Sequence, residues 1–260
     1  MREVKREQVL ESLKQVGVEP GDGLLVHSAL QFLGRPKGGV GIYLDALQEA
    51  VGMYETPPRG TLAAPVFNFG FASGSDYDPA TAPAMGMGAF SEYFRQQPGI
   101  LRTTHPMQSF AIAGDHAGEL AALETPAAFD DGSAVDRMID MGFKLLLLGA
   151  DIQASSLIHY SEQRNDVPYR YWKEFTGQVM KGGWWQEIRC RMFVRNLAID
   201  AHLEIYEIED VLRERGQWSS IKLNYGYISL CGMADFVQAA DDLLGEDPWR
   251  FVTNRPEGGA

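Results

Sequence analysis

Four consecutive leucines, Leu145 to Leu148, lie in the segment "FKLLLLGA", and no other stretch restricts the fold as tightly. A strand with one wet face alternates apolar and polar residues, so a strand that is apolar at every position must be covered on both faces. The runs "LLVH" (24–27) and "GTLAAPVF" (60–67) make the same demand, and "SFAIAG" (109–114) adds a further strand. Helical patterns separate them. Val9, Leu10, Leu13 and Val16 recur at helical spacing before the "GVEPGDG" stop, a helix is expected from about Ile42 to Val51, and "DHAGELAALE" reads as a helix opened by an Asp115 cap. Strands alternating with helices predict an α/β fold: three layers, α/β/α, around a central, mostly buried mixed sheet.

After Trp172 the pattern changes. "FTGQVMKGGWWQEIRCRMFVR" predicts a hairpin turning at Lys181-Gly182-Gly183, followed by a helical C-terminal part ending near Leu244. The chain therefore reads as a single domain. Its core, about 1–165, is followed by a smaller lobe of hairpin and helix, about 166–260, with "RPEGGA" as a frayed tail. Tyr169, Tyr171, Trp172, Trp184 and Trp185 fall around this hairpin, where clustered aromatics read first as core and second as a face for stacking on a ligand.

Composition removes several function classes. The net charge of -12 repels nucleic acid and anionic membranes and suits a cationic ligand. Apolar runs fall far short of the roughly 20 residues a bilayer crossing needs, and the N-terminus lacks a signal-peptide apolar core, so a cytoplasmic protein is expected. Cys190 and Cys231 form no CxxC pattern and read as core or neutral positions. The five histidines are scattered, which leaves no metal site to propose.

Among chemical motifs, GxxxxGK[ST], GxSxG and HExxH are all missing. "GGVGIYLD" lacks the third glycine of a dinucleotide fingerprint, yet a glycine loop entering a helix can hold a phosphate on free backbone N–H groups; a plain tight connection fits it equally. The segment "SSLIHYSEQR" places His159 three residues ahead of Glu162. On a helix these share a face, so the carboxylate can orient the imidazole and stabilise its protonated form, as a general base requires. Two solvated surface residues at that spacing are the alternative.

Several stretches, taken in order, resemble the aminoglycoside 3-N-acetyltransferase family, also called the antibiotic N-acetyltransferases. They are "LLVHSALQFLGRPKGG" (24–39), "GTLAAPVF" (60–67), "YDPATAPAMGMGAFSEYFRQQPGILRTTHPMQSFAIAG" (77–114), "KLLLLGA" (144–150) and "SLIHYSE" (156–162), with a looser likeness over 223–244. The pairing of R-[ST]-x-H-P-x-x-S with [ST]-x-x-H-x-x-E carries most of the specificity. The resemblance implies an α/β/α fold unrelated to the GNAT acetyltransferases, and transfer of an acetyl group from acetyl-coenzyme A, as cosubstrate, to an amine within a ternary complex. It implies that His159 is the general base and Glu162 its partner. The coenzyme-contacting residues it implies are His27, Ser28, Ala29, Leu30, Gly34, Lys37, Gly38 and Gly39 in a first loop, then Arg102, Thr103, His105 and Ser109 in a second segment.

Thr103 and Ser156 stand where the family usually has serine and threonine, which retains a hydroxyl at each position. Ser28 or Thr103 is expected to support the oxyanion. Acceptor contacts are assigned to the loop "NFGFASGSDYD" through Asn68, Asp76 and Asp78, although both aspartates also suit turns. The expected partners are coenzyme A and a small amine, an aminoglycoside antibiotic acetylated on the 3-amino group of 2-deoxystreptamine. No nucleic acid or membrane is expected, and a monomer or homodimer fits. A biosynthetic coenzyme A-dependent N-acyltransferase on another amine, and a non-catalytic binder on the same scaffold, are the competing readings.

Overall fold

A computed structural model describes residues 2–256, so the last four residues of the expected frayed tail, 257–260, lie outside the described residues. In chain order the elements are β1 (Glu3–Val4), α1 (Arg6–Val16), β2 (Gly23–Ser28), β3 (Arg35–Pro36), α2 (Gly41–Ala50), β4 (Thr61–Pro65), α3 (Gly88–Arg95), β5 (Leu101–Arg102), β6 (Phe110–Gly114), α4 (Ala117–Ala121), α5 (Ala134–Asp140) and β7 (Lys144–Leu148). Then follow α6 (Ile158–Arg164), β8 (Arg170–Lys181), β9 (Trp184–Arg195), α7 (Tyr206–Glu214), β10 (Ser219–Leu223), β11 (Gly226–Gly232) and α8 (Met233–Glu246).

Seven strands form one sheet in the order β10-β11-β7-β2-β4-β6-β5. The central strands β7, β2 and β4 run parallel, and the flanking pairs are antiparallel. The leucine run behaves as its composition demands. Leu146 and Leu148, with Leu24 and Val26, pack among residues of α1, α2 and α3. Leu145 and Leu147, with Leu25, pack among residues of α4 to α8 on the opposite face. Alternate side chains of the same strand thus enter two separate cores, and the mixed sheet is the middle layer of three. Both cysteines are buried and free, and burial pushes the Cys190 thiol up to about 11, which makes it a poor nucleophile.

Two sequence expectations give way here. Residues 219–232 are strands, not helix: β11 pairs along β7 and β10 closes the sheet edge, so the C-terminal part completes the central sheet before α8 covers it. In addition, α4 begins after His116 without a side-chain cap, and Asp115 lies one residue too early to serve.

The hairpin of β8 and β9 forms as expected, outside the large sheet. Its two-residue turn has positive φ at both Gly182 (61°) and Gly183 (84°), the geometry that matches strand twist. Only one side is packed: Tyr77 bridges to Val179, and Gly177 sits against the Phe71 ring. The aromatic set accordingly divides. Tyr169 is buried, while Tyr171, Trp172, Trp184 and Trp185 are exposed, because a hairpin standing off the sheet has one face without a cover.

Candidate active site

Because β2, β4 and β7 are parallel, their C-terminal ends lie along one edge of the sheet, the place where open α/β sheets bind ligands. A cavity of about 550 Å³ opens there, lined by His27 from β2, Pro65 and Phe67 from the end of β4, and Ser155, Ser156 and His159 beyond β7. Arg170, Arg195 and His202 supply its basic groups. The chain reaches this cavity from β7 through Gly149, whose φ is +76° and where a Cβ would lie 2.7 Å from the Ala29 carbonyl oxygen. That close approach of two strand ends permits only glycine.

At the start of α6, His159 and Glu162 face one another as their spacing predicts. His159 Nδ1 donates to Glu162 Oε2 at 2.6 Å, which leaves the Nε2 lone pair for a ligand. Glu162 is completely buried, while the His159 side chain is 30% exposed. Arg170, the first residue of β8, brings its Nε to 2.9 Å from the same carboxylate oxygen, and its Nη2 lies 3.2 Å from His159 Nδ1. Burial alone would push the Glu162 carboxyl up. The hydrogen bond and charge of His159 and the Arg170 guanidinium outweigh that cost and hold it below the usual carboxylate range. The Phe129 ring meets the imidazole edge-on, 5.9 Å between centroids.

His27 anchors this helix to the sheet. The Ser156 backbone N–H donates to His27 Nε2 at 3.0 Å, and the Ser156 hydroxyl lies 2.9 Å from the same nitrogen. Accepting at Nε2 fixes the proton on Nδ1, and burial, followed by the charge of His159, pushes the His27 imidazole down to about 4. His27 is therefore neutral at pH 7.

The other sequence-selected residues divide by location. Near the start of α2, Lys37, Gly38 and Gly39 are exposed, and both glycines have positive φ (112° and 83°). Gly34 is held against the Arg2 carbonyl, Ala29 donates to the Leu148 carbonyl, and Leu30 is buried. The Ser28 hydroxyl is buried with no hydrogen-bond partner among the described residues, next to Gly88 at the head of α3.

The second segment does different work. The Arg102 guanidinium donates to Ser109 Oγ and to the carbonyls of Pro79, Ala82 and Val66, so it ties a loop to β6 and has little left for a phosphate. The Thr103 hydroxyl accepts from the Phe110 N–H, and Thr103 lines other cavities than that of His159. His105 Nδ1 accepts from the Met107 and Gln108 N–H groups, and burial pushes its imidazole down to about 4.

The expected acceptor residues fare similarly. Asn68 accepts from Gly70 and donates to Pro83, and Asp78 caps a turn at Ala80 and Thr81. Asp76 is exposed on that loop, and none of the three lines the His159 cavity. Asn68 and Asp78 are thus used to hold the backbone of their own loop.

Arg170 carried no signal in the sequence, since its contact with Glu162 depends on where the hairpin starts. A second cavity, reached across Phe129, holds Asp130, Asp131, Trp172 and Arg191. Arg191 there pairs with Asp130 and stacks 4.3 Å above the Trp172 ring. Among the described residues no cluster of three metal-ligating side chains occurs, and no helix is long and apolar enough to cross a membrane.

Residues 25–245 match the sequence profile of the family described as aminoglycoside 3-N-acetyltransferase. An aminoglycoside N(3)-acetyltransferase III of Salmonella sp is 33% identical over 180 residues, covering 64% of this chain and 63% of that protein. The match thus spans less than two thirds of that relative's length. An aminoglycoside N(3)-acetyltransferase IV of Salmonella sp is 31% identical over 265 residues, covering 99% of this chain and 93% of its own. Among solved structures, a mutant of aminoglycoside acetyltransferase AAC(3)-IVa in complex with apramycin superimposes with a TM-score of 0.78 at 26% identity, over 100% of this chain and 98% of that one. AAC-IIIb in a binary complex with CoASH superimposes with a TM-score of 0.82 at 22% identity, over 98% of this chain and 100% of that one, a likeness of fold. The sheet with its His159–Glu162 edge and the profile match over most of the chain agree: the chain belongs to the aminoglycoside 3-N-acetyltransferase family.

Proposed function

We propose that the protein acetylates an aminoglycoside on the 3-amino group of 2-deoxystreptamine, taking the acetyl group directly from acetyl-coenzyme A in a ternary complex. The observation that carries this reading is the His159 imidazole, held by a buried carboxylate in an open cavity at the C-terminal edge of the parallel strands. An amine must lose a proton to attack a thioester, and a neutral imidazole accepts it near neutral pH. In the proposed step the amine nitrogen bonds to the acetyl carbon, its proton moves to His159 Nε2, and the carbon–sulfur bond breaks. The coenzyme thiolate leaves and takes up a proton. We assign the oxyanion donor to Ser156 in preference to Ser28 and Thr103: its hydroxyl, which donates to His27 Nε2 at 2.9 Å at rest, would turn into the cavity as the charge develops and leave Nε2 to the Ser156 N–H.

For the coenzyme, the exposed loop from Lys37 to Gly39 leads to α2, whose first turn has no side-chain cap, a fit for pyrophosphate oxygens. The orphaned Ser28 hydroxyl suits the same ligand. We assign the acceptor's ammonium groups to the exposed Asp131 beside Phe129, in preference to Asp76 and Asp78, since Asp130 is already paired with Arg191.

Replacing Gly39 by valine is expected to weaken coenzyme binding roughly tenfold, because valine is strained at positive φ although open space surrounds the site. Calorimetric titration with coenzyme A measures this, and unchanged affinity in a folded variant would make the loop merely structural. The function is tested by thiol release from acetyl-coenzyme A with kanamycin-, gentamicin- and neomycin-type acceptors at low and high salt. Turnover is expected with an acceptor Michaelis constant that rises with salt, since each exposed ion pair contributes only about 0.2–1 kcal/mol and is screened. Turnover of a neutral amine alone would favour a biosynthetic acyltransferase.

A further inference from the structure

We infer that Arg170 is a positioning residue that sets how many protons the His159–Glu162 pair carries at rest, and so keeps Nε2 unprotonated at neutral pH. This rests on His159 acting as the general base. Glu162 has no contact with water, and among the described residues Arg170 is its one fixed positive partner. The guanidinium is itself only 10% exposed and is aimed by donation from Nη1 to the Phe193 carbonyl, 3.2 Å away. Its position therefore depends on the β8–β9 hairpin and not on α6.

Arg195 and His202 line the same cavity, but neither pairs with Glu162, and His202 lies 3.8 Å from Asp200; the ion pair to Glu162 comes from Arg170. From β2, His27 faces the His159–Glu162 pair as a neutral ring whose Nε2 is already occupied. The Tyr169 hydroxyl, just ahead of β8, is pushed up by burial and then by the Glu162 carboxylate, so it stays un-ionised. From α8, Asp241 is tied to Asn165, and burial raises its carboxyl. None of these can neutralise Glu162.

With Arg170 present, a buried carboxylate is balanced and the imidazole can remain neutral. Without it, the pair retains one more proton. If that proton sits on the imidazole, Nε2 has no lone pair. If it sits on Glu162, the carboxylic acid donates to Nδ1 and the ring hydrogen moves to Nε2. Either arrangement removes the base.

The test is the pH dependence of acetyl transfer in Arg170→Met, Arg170→Gln and Arg170→Lys. At pH 7 the two uncharged variants are expected to fall by roughly 30-fold, with the acid limb of kcat moved up by about one to two pH units, and to recover to within a few fold near pH 9. Arg170→Lys should keep the limb within about half a unit of the parent, since it restores the charge. An acid limb unmoved in a folded Arg170→Met or Arg170→Gln protein, whatever its rate, overturns the inference. So does an Arg170→Lys limb displaced as far as that of either uncharged variant. His159→Ala in the same series is expected to be inactive at every pH; if it is active, the general-base reading fails first.

Discussion

Replacing His159 by alanine is expected to lower kcat for acetyl transfer by about 10²- to 10⁴-fold while leaving coenzyme A affinity within about twofold, as for loss of a general base. The imidazole lines the cavity at the end of the parallel strands, whereas the loop that fits the coenzyme phosphates lies beside α2. The effect should therefore appear in kcat and not in the dissociation constant of the coenzyme. Removing the side chain also leaves the Glu162 carboxylate paired with Arg170, so the fold should survive the substitution. Rates are read from thiol release at saturating acetyl-coenzyme A, and affinity by calorimetry. Turnover within twofold of the parent would remove His159 from the mechanism.

The residues that could be read from the sequence share one property: their partners are local or their environment is uniform. The leucine run at 145–148 needs cover on both faces wherever it falls in the sheet, and His159 and Glu162 meet because a helix brings i and i+3 together. Residues whose role depends on distant neighbours could not be read this way. His27 and Ser156 are 129 positions apart and touch only because β2 pairs with β7. Arg170 reaches Glu162 by way of the hairpin's take-off point.

The strands at 219–232 were hidden for a related reason. Residues such as Ile228 and Leu230 acquire their cover from β7 and α1, and the helical run of α8 immediately after them dominates the local periodicity. The motif around Arg102 and His105 shows the converse. Both residue types can bind phosphate or carry protons, yet here they satisfy carbonyls and N–H groups of a buried loop, a use that no spacing pattern separates from catalysis.

Glu162→Gln is expected to destabilise the protein by about 3–5 kcal/mol at neutral pH, because it leaves the Arg170 guanidinium buried opposite a neutral amide. For a chain of this size that corresponds to a fall of roughly 10 °C in Tm. A solvated surface carboxylate at the same spacing would cost no more than about 1 kcal/mol, so the size of the loss separates the two readings of the His159–Glu162 spacing. The pH dependence has a definite sign. Glu162 is held below the usual carboxylate range in the folded protein, so the folded state binds this proton less readily than the unfolded chain. Its contribution to stability is complete above the unfolded value of about 4.3 and fades as pH falls through the lower folded value. The gap between parent and variant should therefore narrow on acidification, while glutamine, which does not titrate, contributes no change of its own. Urea unfolding of both proteins at pH 7 and at successively lower pH measures this difference. A loss below about 1 kcal/mol at pH 7, or a gap that widens toward acid, would mean that the buried Glu162 charge does not support the fold and that the arrangement of imidazole, carboxylate and guanidinium is held by other contacts.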